Sequence, residues 1–191
     1  KIKSCLDSFL EGPLLLKPKK YEDERGFFFE SFNQREINNI LSENVNFVQD
    51  NHSCSKKGIL RGLHYQLSPY AQGKLVRVTK GCIYDVIVDI RKNSKTFSHW
   101  AGLEISDINN NQIWIPEGFA HGFLTLTDLA EVQYKTTQYW NKSCERSLIW
   151  NDKEINITWP LTELSLDNPI LSEKDTNAKS LIELSYLKDL L

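Results

Sequence analysis

The sequence predicts one all-β domain, a sandwich or barrel, with helical trimmings at its margins. Between about residue 45 and residue 160 the chain is a succession of short runs rich in Val, Ile, Tyr, Trp and Thr: NFVQDN, GKLVRVTKG, CIYDVIVDI, HWAGLEI, NQIWIP, GFLTLT, AEVQYKTTQYW and RSLIWND. Breaks such as KNS, DINNN and PEG fall at intervals of roughly 8 to 12 residues, the spacing of a sandwich or barrel. A length of 191 residues suffices for one domain with a full hydrophobic core, and no linker, repeat or low-complexity segment divides it.

Taken in order, residues of about 1–45 read as N-terminal strands and a short helix. The stretch SFNQREINNILSE carries Phe32, Ile37, Ile40 and Leu41 at helical spacing after Ser31 as a cap. The β core follows over about 45–160. In CIYDVIVDI, Ile83, Asp85, Ile87 and Asp89 share one parity and Tyr84, Val86, Val88 and Ile90 the other, which reads as a half-buried strand with one apolar and one mixed face. The last segment, about 161–191, ends in AKSLIELSYLKDLL, whose Leu181, Ile182, Leu184, Leu187 and Leu190 predict a helix packed onto the sheets or a partner chain.

Composition excludes several classes. With 23 Lys and Arg against 25 Asp and Glu, the net charge of -2 offers no basic field for nucleic acid or membrane, so an anionic ligand needs local cations. Cys5, Cys54, Cys82 and Cys144 are scattered and form no CxxC pair, which argues against a zinc site or disulfide framework and for a reducing, cytoplasmic setting. No apolar run approaches the roughly 18 residues a membrane helix needs, and no basic-then-apolar leader opens the chain. With no methionine present, whether the N-terminus is complete stays open.

Function is signalled by polar residues where strands should be apolar. Arg61, His64, Gln66 and Lys74 cluster in the chain, His121 follows the turn of PEGFAHG, and Tyr134 lies mid-strand between Gln133 and Lys135. Singly, each has a bland reading: a packed histidine, solvated edge-strand charges at Lys74 and Arg77, an ordinary strand aromatic. Jointly they suit a basic, aromatic-lined pocket for an anionic organic ligand. PEGFAHG resembles the second half of the cupin metal motif. The first half should supply His-x-His and a Glu, yet LHYQLSPYAQG has one histidine and no carboxylate, so no metal is expected. Within GILRGLHYQ, Gly62 is expected to let the backbone run close to the ligand.

Eight blocks in order resemble the dTDP-4-dehydrorhamnose 3,5-epimerase family: DERGFFFESFN (23–33), FVQDNHS (47–53), LRGLHYQ (60–66), QGKLVRV (72–78), DVIVDIRKNSKTF (85–97), IPEGFAHGFLTL (115–126), YKTTQYW (134–140) and LSEKD (171–175). The resemblance implies a cupin-type jelly roll and a homodimer with exchanged N-terminal strands. It makes His64 the proton-abstracting base, Asp175 its dyad partner and Tyr134 the proton donor. Arg61, Lys74 and His121 match residues lining the sugar and its oxyanion. Arg25, Glu30, Gln49, Asp50, Asn51, Glu145 and Lys174 match further ligand contacts, some supplied across the dimer, while Phe27 or Trp140 is available to stack on the base.

The implied activity is cofactor-free epimerisation at C3, C5 or both of a nucleotide-linked 4-keto sugar, with dTDP-hexose or GDP-heptose, hexose or heptose, left open. A proton beside a ketone is acidic because its loss gives an enolate, which cations stabilise; histidine has the pKa to remove it, and a phenol can return one to the opposite face. Trp140 stands where many members carry a second tyrosine, and TNAKS follows Asp175 in place of a proline-containing stretch, so the sugar and the carbons inverted stay open. The alternatives are a 3,4-ketoisomerase on the same scaffold and a non-catalytic sugar-nucleotide-binding cupin.

Overall fold

The computed structural model describes residues 1–191. Strands β1 (Leu14–Leu16), β2 (Lys20–Asp23) and β3 (Gly26–Phe29) precede helix α1 (Gln34–Leu41). The body follows as β4 (Gln49–Lys56), β5 (Leu60–Gln66), β6 (Lys74–Lys80), β7 (Cys82–Asp89), β8 (Trp100–Ser106), β9 (Gln112–Ile115), β10 (Phe119–Thr125), β11 (Leu129–Thr136) and β12 (Glu145–Ser147). Short helices α2 (Glu173–Thr176) and α3 (Leu181–Tyr186) close the chain. One antiparallel sheet has the order β1-β9-β6-β11-β4 and the other β12-β5-β10-β7-β8, while β2 and β3 form a separate hairpin. Strands distant in sequence lie side by side in both sheets, as in a jelly roll.

Period-two alternation decides what meets between the sheets. Ile83, Ile87, Phe119 and Phe123 from one sheet face Val76, Val78, Ile113, Ile115 and Val132 from the other. The half-buried reading of β7 is corrected here: its other face is buried as well. Val86, Val88 and Ile90, with partly buried Tyr84, pack under the C-terminal segment against Leu148, Trp159, Leu181, Leu184 and Leu190. Each such leucine contributes about 1.5–3 kcal/mol on burial, which fastens the tail to the sheet.

Other boundaries also differ from the sequence reading. The cap of α1 is Asn33, not Ser31: its side chain accepts from the backbone N–H of Arg35 and Glu36. Ile37 is buried against Leu75 and Trp114, but Ile40 is exposed. Strand β11 stops at Thr136, so QYW belongs to a loop, and β12 stops at Ser147. The last helix spans only Leu181–Tyr186; Leu187 is exposed beyond it, and Leu190 is buried without being helical. Lys74 and Arg77 are not edge-strand charges, because β6 lies inside its sheet between β9 and β11.

One irregularity shapes the site. In β5, His64 is opposite His121 and Arg61 is opposite Phe123, so three steps along β5 match two along β10. The extra residue is a bulge, and it reverses side-chain parity. Leu60 and Leu63 thereby both enter the core under the tail, and Arg61 and His64 both line the cavity. Gly62 sits in this bulge at φ +128, and a Cβ there would lie 2.5 Å from Gly122 Cα and 2.8 Å from the His121 carbonyl oxygen. Glycine is needed for the approach of a neighbouring strand, not of a ligand as the sequence suggested. Gly62→Ala is therefore predicted to cost at least about 2 kcal/mol, measured by urea denaturation. A change within about 0.5 kcal/mol, the size of an ordinary surface substitution, would contradict the close-packing account.

Candidate active site

A cavity of about 530 Å³ opens between the two sheets. From β4 come Gln49, Asn51 and Ser53, from β6 Lys74, and from β11 Tyr134. The facing sheet supplies Arg61, His64 and Gln66 on β5, His121 and Phe123 on β10, and Glu145 on β12. Lys174 and Asp175 on α2 and Trp140 on a loop complete the lining. Eleven of the fifteen residues expected from sequence thus converge: Gln49, Asn51, Arg61, His64, Lys74, His121, Tyr134, Trp140, Glu145, Lys174 and Asp175.

The other four lie elsewhere. Asp50 alternates with Gln49 and Asn51, so β4 turns it to the outer face, where Lys135 Nζ donates to its Oδ1 at 2.9 Å. Arg25 and Phe27 sit on the exposed β2–β3 hairpin; Arg25 pairs with Asp23, and Lys20 Nζ stands 4.4 Å from the centre of the Phe27 ring. Glu30 follows the hairpin and accepts from Asn33 Nδ2 at 3.0 Å.

His64 and Asp175 form the centre of the site, with Nε2 and Oδ1 2.6 Å apart. Burial pushes the His64 pKa down, outweighing the upward pull of Asp175. Burial works to raise the Asp175 pKa, but hydrogen bonds from His64 and Ser172 and the nearby charges hold it below the usual carboxylate value. An ionised carboxylate only accepts, so the proton lies on His64 Nε2 and Nδ1 is the basic nitrogen. Asp175 is delivered by α2, whose N-cap Ser172 accepts from the Asp175 N–H at 3.2 Å. Ser172 lines the cavity and was missed in the sequence, although Ser-Glu-Lys-Asp is a recognisable capping pattern.

Charge is concentrated around this pair. Lys74 is buried and its Nζ donates to the His64 carbonyl oxygen at 3.0 Å; burial pulls its pKa down to about 8, opposed chiefly by Asp85. Lys174 Nζ reaches Glu145 Oε1 at 3.0 Å. Burial raises the Tyr134 pKa above that of a free phenol, although Arg61 pulls the other way. His121 Nε2 lies 2.8 Å from Asp85 Oδ2.

Two glutamines position the rest. Gln66 donates to the carbonyls of Tyr70 and Tyr139 and accepts from the Asn141 N–H, while Gln49 accepts from the Trp140 N–H. These bonds fix the loop bearing Trp140. Nothing in a single sequence marks a glutamine that serves three loop backbones. The structure contains no group of three or more His, Cys, Asp or Glu side chains arranged to hold a metal ion, and no helix long and apolar enough to cross a membrane.

Comparison with known proteins places the chain in a family. Residues 7–183 match the family model described as dTDP-4-dehydrorhamnose 3,5-epimerase. A protein of that name from Shigella flexneri is 54% identical over 91% of this chain and 93% of its own length. A crystal structure of dTDP-6-deoxy-D-glucose-3,5-epimerase from Legionella pneumophila, in complex with dTDP-4-keto-L-rhamnose, superposes with a TM-score of 0.89 at 44% identity, covering 100% of this chain and 96% of that one. A 3'-monoepimerase from Streptomyces bikiniensis in complex with dTDP-quinovose superposes with a TM-score of 0.87 at 30% identity, covering 94% and 89%.

The dyad makes one electrostatic prediction. Asp175→Asn removes the carboxylate that opposes burial, so the His64 imidazolium should titrate at a lower pH than in the wild type. Histidine NMR titration reads this directly, and an unchanged or higher midpoint would contradict the pairing.

Proposed function

The chain belongs to the dTDP-4-dehydrorhamnose 3,5-epimerase family and is an isomerase, and from that premise we propose that it inverts C3 and C5 of a dTDP-linked 4-keto-6-deoxyhexose. One observation carries the mechanistic reading: His64 reaches the cavity from one sheet and Tyr134 from the other. Inversion at carbon needs a base on one face of the sugar and an acid on the opposite face, and two sheets flanking one cavity meet that demand. The depressed His64 pKa favours a neutral, basic imidazole at neutral pH, and the raised Tyr134 pKa keeps its phenol protonated until it donates.

In this reading His64 Nδ1 removes the proton beside the C4 ketone, and Asp175 stabilises the imidazolium that forms. The electrons move onto the ketone oxygen, where Lys74 and Arg61 meet the enolate; a single such donor is typically worth about 3 kcal/mol. Tyr134 then protonates the same carbon from the other side. The substrate's own ketone acidifies the carbon, so the cycle consumes no cofactor. The identity to 3,5-epimerases favours two inversions, one after the other, over one. Gln49, Asn51, Lys174 and Trp140 are positioned to receive the nucleotide diphosphate.

A homodimer belongs to the same proposal. Arg25, Phe27 and Glu30 lie outside their own chain's cavity, on and beside a hairpin whose Tyr21, Phe27 and Phe28 are more than half exposed. A second copy accepting that hairpin would bury those rings and gain Arg25 at its cavity mouth. Four free cysteines accord with a reducing compartment, and the proposed location is the cytoplasm.

Two outcomes are expected. In heavy water the enzyme should place deuterium at C3 and C5 of the dTDP-linked 4-keto-6-deoxyhexose and leave a GDP-linked 4-keto sugar unlabelled, and His64→Asn should lower the rate by about 10³-fold; exchange retained in that variant would remove His64 from the role of base. For the dimer, Arg25→Ala and His64→Asn should each be weak alone, yet regain activity when co-expressed, because one mixed cavity is then complete. Failure to complement would mean that each chain builds its own site.

A further inference from the structure

Asp85 takes no part in the proton transfers above, yet its carboxylate is fully buried on β7, opposite Phe123 of the cavity wall. Strand alternation puts it on the same face as Ile83 and Ile87, in the apolar layer between the sheets. One oxygen, Oδ2, meets His121 Nε2 at 2.8 Å; the other, Oδ1, has no hydrogen-bond partner. A buried carboxylate with an unpartnered oxygen is costly, and an apolar residue would pack there at less expense to stability. Such a violation of core patterning concentrates at functional sites.

We propose that Asp85 is a positioning residue for the epimerisation: it holds His121 with the proton on Nε2, leaving Nδ1 as an acceptor for a sugar hydroxyl, and it supplies the negative charge that keeps Lys74 cationic beside the enolate oxygen. The inference rests on the epimerase reading and on Lys74 as a donor to the enolate. Its first half is geometric, because a carboxylate can only accept the bond from Nε2. Its second half follows from the surroundings of Lys74. The ammonium is buried and at about 8 its pKa is close to physiological pH, so a small loss of negative charge would discharge it. Asp85 on β7 opposes that loss most strongly and Glu145 on β12 next, while Lys174 on α2 promotes it. His64, His121 and Tyr134 line the same cavity from β5, β10 and β11.

Asp85→Asn is nearly isosteric but uncharged, and its amide can offer His121 either an acceptor or a donor. The test is the pH dependence of kcat and of KM for wild type and Asp85→Asn, with deuterium incorporation followed in parallel. The wild type should show an alkaline limb near pH 8. In Asp85→Asn that limb should move to lower pH and kcat should fall at least about tenfold with KM nearly unchanged, the scale of an orienting partner's loss. A purely structural role would lower the yield of folded enzyme and leave the limb in place. An unmoved limb, or a wild type without one, overturns the inference while leaving the epimerase reading intact; a wild type that incorporates no deuterium overturns both. If Asp85→Asn does not fold, 15N NMR of the wild-type histidines decides, with His121→Gln to assign the signal. An Nε2-protonated His121 supports the inference and a bare Nε2 overturns it.

Discussion

The hydrogen bond between His64 and Asp175 joins residues 111 positions apart, and much of the architecture serves to make it. His64 is aimed into the cavity by the bulge at Gly62, without which Arg61 and His64 would point to opposite faces of β5. Asp175 depends on the C-terminal segment being docked. That docking is apolar beneath, through Leu181, Leu184 and Leu190, and polar at its rim, where the Tyr65 hydroxyl donates to the Asp189 carbonyl and Arg146 pairs with Asp189. Asp152 adds a further tie by accepting from the Leu181 N–H. The dyad is therefore a tertiary contact between sheet and tail, and loosening the tail removes the partner of His64 before it touches the barrel.

The electrostatics follow from placing several cations in a space that burial makes unfavourable for charge. Lys74, Arg61 and Lys174 line one cavity, and Asp175, Glu145 and Asp85 are the carboxylates set against them. Burial alone would neutralise Lys74 and His64 alike. In the proposed reaction that tendency is useful for His64, because a base must be free of its proton. For Lys74 the same proposal makes it harmful, because an enolate needs a positive neighbour. The same physical effect thus acts in opposite senses on the two groups, and the distribution of carboxylates sorts them.

Much of the fold was legible in the sequence because period-two runs and turn residues are local signals. The strands from β6 to β9 fall where the β-rich runs predicted them, and β10 starts three residues before its run GFLTLT. What escaped was tertiary. Both faces of β7 are buried because a tail distant in sequence covers one of them, and that tail reads as a helix although only Leu181–Tyr186 is helical. In the site, the gathering of Arg61, His64, Lys74, His121 and Tyr134 into one pocket was anticipated from polar residues in apolar runs. Asp50 lies outside the cavity because of strand alternation, which a motif written as consecutive letters ignores; Ser172 was missed because its partner is a backbone atom, and the bonds of Gln66 to loop backbones were hidden for the same reason. Asp85 was visible only as the mixed parity of a strand.

The central claim is that the base and the acid serve opposite faces of the sugar because they stand on opposite sheets. The most direct measurement is the stereochemical fate of substrate incubated in heavy water with Tyr134→Phe, which keeps the base and removes the acid. The account predicts deuterium entering the carbon beside the ketone with its configuration retained, as His64 returns a solvent-derived proton to the face it came from. Inversion at an undiminished rate in that variant would contradict it.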